Sequence, residues 1–261
     1  MLLLKVLSLA RPCQFVQYLS SPVTDKETIQ QDLTHLEVGI SSQQGWRKTQ
    51  EDAHISAQIE ENTLLFGVFD GHGGGEVSKF CAKHIHTEIT KIPAYNDGDY
   101  GESLVAVFHR MDEIMQTPEG LKLLQEMKEV PPEKSQEDER SFDFIKALIS
   151  QQSGAKKPLD EDNNFEVHAG CTAVVALLKG NKLYVANAGD SRAVLCRKGT
   201  SVPLSFDHKP SHPTEKERIE SAGGFVSNFG GMSRVNGNLN LSRAIGDLKY
   251  KGNKEVRITI G

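Results

Sequence analysis

The segment LLFGVFDGHGGGEVSKF, residues 64–80, changes character abruptly in its middle. An unbroken apolar run, typical of a buried strand, ends at Asp70, and glycines then flank His72. Beyond these glycines, apolar residues recur at helical spacing and predict an amphipathic helix that ends before Pro93: Val77, Phe80, Cys81, Ile85 and Ile89. A carboxylate and an imidazole therefore stand on flexible backbone between a buried strand and a helix.

The segments on either side of this stretch predict further strands and helices. LEVGIS and AHISAQI precede it and alternate like strands, and so does CTAVVALLKGNKLYVANAGDSRAVLCRKG further on. Within that later segment, Gly180-Asn181 and Gly189-Asp190 have the chemistry of turns between successive antiparallel strands. SLVAVFHRMDEIMQ and GLKLLQEMKE predict helices, as does a segment with Pro213 in its first turn. The order strands, helices, strands, helix favours an α+β fold with antiparallel sheets.

The pattern divides the chain into an extension and one domain. Residues 1–36 form the predicted N-terminal extension, and residues 37–261 form the domain. Within that domain, residues 93–167 hold predicted helices and charged loops rich in Pro and Gly, which predict an insertion.

Composition excludes several classes of protein. The chain has 261 residues, 38% of them hydrophobic, and a formal net charge of −5, which argues against nucleic acid as the main partner. Its four cysteines are widely spread without a CxxC pair, so a reducing compartment is expected: the cytoplasm, with the nucleus as an alternative. The apolar start, MLLLKVLSLA, is too short for an integral membrane span, and peripheral membrane association is a minor alternative.

Acidic residues stand at several predicted strand ends: Glu51, Asp52, Asp70 and Asp190. Mg²⁺ and Mn²⁺ prefer oxygen ligands, and the Gly71 carbonyl beside Asp70 would add one. Each feature alone has an ordinary structural explanation, as a solvated pair, a hairpin turn or, for His72, a helix cap. An acid directly after an apolar strand, followed by His and three glycines, is more than a turn requires.

At this point the chain resembles the PP2C (PPM) family of metal-dependent protein serine/threonine phosphatases. The resemblance rests on six ordered motifs: GWRKTQEDAH, VFDGHGG, GCTAVVALL, VANAGDSRAVL, LSFDHKPSHPTEKERIESAGGFV and LNLSRAIGDLKYK. It implies a four-layer αββα sandwich in which two antiparallel sheets are flanked by helices. It also implies a monomer that acts on phosphoprotein substrates.

The resemblance also implies a role for each site residue. Asp70 would bridge two ions, Mg²⁺ or Mn²⁺, with the Gly71 carbonyl, Glu51 and Asp52 in the metal shell. Asp190 would serve a third, weaker metal. Arg47 would grip the phosphate, and His72 would protonate the departing Ser or Thr oxygen.

The resemblance breaks near the end of the chain. The family's later metal-binding acids, in an Asp-Gly-x-x-Asp motif and an Asp-Asn, are not found between Asp190 and Gly261. A C-terminally truncated domain with weakened metal binding is therefore expected. The alternative function is a catalytically impaired pseudophosphatase that binds phosphoproteins or a partner. A cysteine phosphatase is disfavoured because Cys171 lies in an apolar strand with no Arg a few residues on.

Overall fold

A computed structural model describes residues 2–4, 18–33, 36–128 and 167–252. The described strands are β1 Leu2–Leu4, β2 Val23–Leu33, β3 Leu36–Gly45, β4 Ala53–Glu60, β5 Thr63–Phe69, β6 Gly71–His72, β7 Gly170–Cys171, β8 Ala173–Lys179, β9 Lys182–Ala188, β10 Ala193–Arg197, β11 Thr200–Pro203, β12 Val226–Phe229, β13 Met232–Val235 and β14 Ile245–Gly246. The described helices are α1 Glu76–Ile89, α2 Pro93–Asn96, α3 Tyr100–Met115, α4 Pro118–Met127 and α5 Pro213–Ser221, with a 3-10 turn at Leu248–Tyr250.

The described strands pair antiparallel and divide among several sheets. The largest has the order β4-β5-β8-β9, and the short strands β14-β7-β6 form a second sheet beside its end. β2 pairs with β3, β12 pairs with β13, and β10 lies between β1 and β11. This mixture of helices and antiparallel sheets confirms the predicted α+β class.

Strand β5 is the centre of the core because both of its faces are buried. Leu65 and Phe69 belong to the main apolar cluster, which α1, α3 and α4 cover. Leu64 and Phe66 point to the opposite face, where Leu33 from the β2–β3 hairpin packs against them. The apolar run that ends at Asp70 is therefore a strand between two apolar layers, as in a sandwich.

The predicted helices are confirmed by α1, α3, α4 and α5. α1 packs against β4 and β5, and α3 packs against α1 and β9. α5 starts at Pro213, and Gly223 beyond its end has a φ of +80°. Met111 and Leu124, from the segment assigned to an insertion, lie in the main core. Residues 129–166 are outside the described residues, and the insertion's boundaries stay a prediction.

The two predicted hairpins differ in outcome. β8 and β9 form the hairpin predicted at Gly180-Asn181. The hairpin predicted at Gly189-Asp190 is wrong, because β10 pairs with β11 and β1 and not with β9. Gly189 instead donates its N–H to Nδ1 of His208 at 3.2 Å, which directs the chain away from the sheet.

The N-terminal residues offer less support for a boundary. β2 lies within the predicted extension and pairs with β3, so the hairpin crosses residue 36 and the start of the domain stays a prediction. Among the described residues, no helix combines the length and apolar character needed to cross a membrane.

Candidate active site

The pairing of β4 with β5 brings two carboxylates together. Ala53 is opposite Phe69 in the register, so Asp52 precedes β4 beside the point where Asp70 follows β5. Burial raises the pKa of Asp52 to about 7, and the charge of Asp70 and a side-chain hydrogen bond with it act in the same direction. Arg47 opposes this shift without cancelling it. Two ionised carboxylates are therefore unfavourable here, and a bound cation would offset their repulsion.

Glu51 adds a third carboxylate beside this pair. Its Oε1 accepts a hydrogen bond from Thr49 Oγ1 at 3.0 Å, whereas its Oε2 is buried without a hydrogen bond. Nη2 of Arg47 lies 3.7 Å from Oε2, an ion-pair distance and not a hydrogen bond. A buried carboxylate oxygen without a donor is unfavourable, and a bound cation would satisfy it.

The backbone around Asp70 is fixed by its neighbours. The N–H of Asp70 donates to Thr172 Oγ1 at 3.2 Å, and the N–H of Thr172 donates to the Asp70 carbonyl at 2.9 Å. Ser78, in α1, donates to the carbonyl of Glu51. A Cβ at Gly71 would overlap that same carbonyl, so only glycine allows the turn to approach Glu51 so closely.

These residues fit a divalent cation, although they do not enclose one. The Glu51 oxygen without a hydrogen bond and the raised pKa of Asp52 are both features that a bound cation would relieve. In the described residues, however, no group of three or more His, Cys, Asp or Glu side chains is placed so that it could hold a metal ion, so the protein ligands form an open set. Mg²⁺ tolerates such an open set, because it keeps several of its waters.

His72 lies next to the acids but has a carboxylate partner of its own. Strand β6 pairs with β7, which pairs with β14, and the residue after β14 is Asp247. His72 Nε2 is 2.6 Å from Asp247 Oδ2. Burial alone would lower the pKa of His72, but the Asp247 hydrogen bond and the charges of Asp247, Asp70 and Glu51 raise it above its ordinary value. Sequence reasoning missed Asp247, whose one signal was its position after the Ser-Arg-Ala-Ile-Gly segment.

Asp190, the last predicted metal ligand, has a cationic partner of its own. Its carboxylate forms an ion pair with Lys209. The neighbouring Ser191 Oγ contacts Thr172 Oγ1 at 2.5 Å, and that Thr172 oxygen also accepts from the N–H of Asp70. The structure thus brings Arg47, Glu51, Asp52 and Asp70 together and sets His72 beside them. The roles of these residues stay predictions.

Comparison with known proteins agrees with this fold and site. The family model described as Protein phosphatase 2C matches residues 36–130 and 120–260. "Probable protein phosphatase 2C 2" of Paramecium tetraurelia is 44% identical over 242 residues, which cover 92% of this chain and 69% of that protein. "Probable protein phosphatase 2C 11" of Oryza sativa subsp. japonica is 42% identical over 248 residues, covering 91% and 66%.

Solved structures support the fold. The serine-threonine phosphatase 2C from Toxoplasma gondii superposes with a TM-score of 0.56 at 19% identity, covering 91% of this chain and 74% of that one. A Caenorhabditis elegans sex determining protein gives a TM-score of 0.57 at 23% identity, covering 91% and 47%. At such identities the likeness concerns the fold alone.

The chain has the sequence of a protein phosphatase and shares the fold of a solved phosphatase. It belongs to the protein phosphatase 2C family, which confirms the resemblance carried by its motifs. It spans about two thirds of the length of the curated relatives it matches, 69% and 66% for the two above.

Proposed function

We propose that this chain hydrolyses phosphoserine and phosphothreonine in proteins at the acidic site formed by Glu51, Asp52 and Asp70. The observation that carries the proposal is the contact of Asp52 with Asp70 beside an orphaned oxygen of Glu51. Mg²⁺ or Mn²⁺ would be held by these carboxylates and the Gly71 carbonyl, two ions per site, with Asp190 at a third position. When bound, such ions activate water for attack on phosphorus and offset the charge of the phosphate.

The side chains around the acids would position the phosphate. Arg47 is about one third exposed, so its guanidinium can turn from Glu51 toward a phosphate and bind two of its oxygens. Thr172 forms hydrogen bonds with both the N–H and the carbonyl of Asp70. These bonds fix the Asp70 backbone and so keep its carboxylate in place. His72 would deliver a proton to the departing Ser or Thr oxygen.

The proposal also covers the compartment and the partners of the protein. The described cysteines, Cys81, Cys171 and Cys196, are free thiols, which supports a reducing compartment, the cytoplasm or nucleus. Its partners would be phosphoprotein substrates. The phosphatase itself would be a monomer. Nothing in the relatives favours the alternative of a non-catalytic binding module, since they are named as phosphatases.

The test is Mn²⁺-dependent phosphate release from a phosphothreonine peptide, with Mn²⁺ binding measured by calorimetry on the same samples. Asp70→Asn should lower the rate by about 100- to 1,000-fold, because it removes a charge aimed at the metals. Asp25→Asn, on the exposed β2 strand, is the matched control and should not change it. Wild-type rates for Asp70→Asn at saturating Mn²⁺ would contradict the metal assignment. A folded wild-type protein without turnover would contradict the proposed activity.

A further inference from the structure

Asp247 is locked into an uncommon backbone position. Its φ is +49°, in the left-handed region that few residues other than glycine adopt. The preceding Gly246 donates its N–H to Asp112 Oδ1 at 2.8 Å, and Asp247 donates its own N–H to the Ala169 carbonyl at 3.0 Å. Lys251 closes this arrangement by donating to Asp112 Oδ2 at 2.5 Å. Such a conformation is kept only where the surroundings impose it.

The contact between the side chains of Asp247 and His72 requires a glycine beside it. That side chain is 5% exposed, and its Oδ2 lies 2.6 Å from Nε2 of His72. A Cβ on Gly170 would lie 2.5 Å from Asp247 Oδ2 and 2.8 Å from His72 Nε2. The sheet β14-β7-β6 therefore carries glycine where any side chain would separate these two groups.

We propose that Asp247 is a positioning residue for His72 in the phosphatase reaction, an inference that rests on the proposed function. Asp247 accepts a hydrogen bond from Nε2–H of His72, fixes that tautomer and holds the plane of the ring. Because Nε2 is engaged in this way, Nδ1 is the ring nitrogen that serves the substrate.

The proton-transfer step follows from the different roles of the two ring nitrogens of His72. The bond between phosphorus and the Ser or Thr oxygen breaks, and that oxygen takes the proton carried on Nδ1 of His72. Water supplies the new oxygen on phosphorus and releases one proton to the solvent, and Nδ1 of His72 takes up one proton from the solvent before the next turnover. His72 is left neutral with its hydrogen on Nε2, still bonded to Asp247. A carboxylate that orients the imidazole of a proton donor in this manner typically contributes about 10- to 100-fold in rate.

The kinetic test compares two leaving groups. A Thr alkoxide is a poor leaving group and needs the proton, whereas 4-nitrophenolate leaves without one. Asp247→Asn should therefore slow hydrolysis of a phosphothreonine peptide by about 10- to 100-fold and change 4-nitrophenyl phosphate hydrolysis much less. Asp207→Asn, which removes the partner of Arg192, is the matched control. Equal losses on both substrates would overturn the proposal.

A double-mutant cycle separates positioning from general stabilisation. If Asp247 acts through His72, the double variant His72→Ala with Asp247→Asn should be no slower than His72→Ala alone. Multiplied losses would mean that Asp247 supports the fold independently, and the proposal would be wrong.

A third measurement does not depend on turnover. The ring nitrogens of His72, observed by ¹⁵N NMR at a pH where the ring is neutral, should show the hydrogen on Nε2 in the wild-type protein. A hydrogen on Nδ1 would overturn the proposal even if no variant could be folded. If the protein lacks phosphatase activity but His72 shows the Nε2–H form, the proposed function fails while the Asp247–His72 pair stands.

Discussion

Two clusters of charged side chains in this molecule are built from the same groups in opposite proportions. At the β4–β5 edge, Asp52 contacts Asp70 and lies near Glu51, and the guanidinium of Arg47 stays 3.7 Å from Glu51. The second cluster joins α5 to the segment before β14 and has one carboxylate, Glu215, between the guanidiniums of Arg218 and Arg243.

The balance of charge decides the state of each carboxylate. Burial would raise the pKa of Glu215, but hydrogen bonds from Arg243 and Arg218 lower it to about 2. Arg243 donates to both of its oxygens, with the shortest distance 2.6 Å from Nη2 to Oε1. Asp52 is half-buried, yet the charge that acts on it most strongly is another carboxylate, Asp70, and its pKa rises to about 7.

This difference separates a structural cluster from a functional one. Glu215 is neutralised by Arg218 and Arg243 of the protein itself. It therefore links two segments of the chain and does not require a cation from solution. At the sheet edge, Asp52 meets another carboxylate, Asp70, and this pair would gain stability when a cation arrives. The same chemical change, carboxylate to amide, should therefore have opposite effects in the two clusters.

The largest effect is expected at Glu215. Its pKa is lowered on folding, so its contribution to stability is present above the unfolded value of 4.5 and is lost as pH falls through about 2. Glu215→Gln should lower the free energy of unfolding at neutral pH by about 3 kcal/mol. Urea titrations should show the difference from wild type shrinking below pH 4.5. The control Glu217→Gln, exposed on the same helix, should be neutral, and equal losses in both variants would refute the comparison.

A smaller effect of opposite sign is expected at Asp52. Because its pKa is raised on folding, its stabilising contribution exists below pH 3.8 and is lost as pH rises through about 7. Asp52→Asn should therefore stabilise the metal-free protein at about pH 8 by roughly 2 kcal/mol, and less near pH 5, after allowing for solvent screening.

Thermal unfolding with and without Mn²⁺ checks this prediction. The metal should stabilise the wild-type protein more than Asp52→Asn, since the variant has lost a carboxylate from the site. Destabilisation of the metal-free variant at alkaline pH would show that folding does not raise the pKa of Asp52.

The smallest effect is expected at Lys209, the counter-ion of Asp190. Lys209→Met should lower stability by only about 0.5 kcal/mol, because both side chains are partly exposed. It should also strengthen Mn²⁺ binding at Asp190, since the ammonium no longer competes there. Lys216→Met, which breaks the exposed pair with Glu220, is the control for calorimetry. Unchanged Mn²⁺ binding in Lys209→Met would remove Asp190 from the metal site.

Much of the site could be predicted from local sequence. The strand that ends at Asp70 and the helix that begins at Glu76 follow from apolar periodicity, which acts over a few residues. The motifs also identified the family, since six of them occur in order. The pairing of strands was less predictable: the turn chemistry at Gly189-Asp190 does not reveal that β10 turns away from β9.

Local periodicity and turn chemistry, which belong to the sequence by itself, thus determined that Asp70, Gly71 and His72 lie between a buried strand and a helix. Tertiary structure alone decided which charges they meet. Asp247 lies 175 residues from His72, and their contact exists because β14 and β6 both pair with β7. Two residues that strand pairing brings together from so far apart in the sequence leave no pattern in the residues around either of them, because their contact forms only when the strands pair.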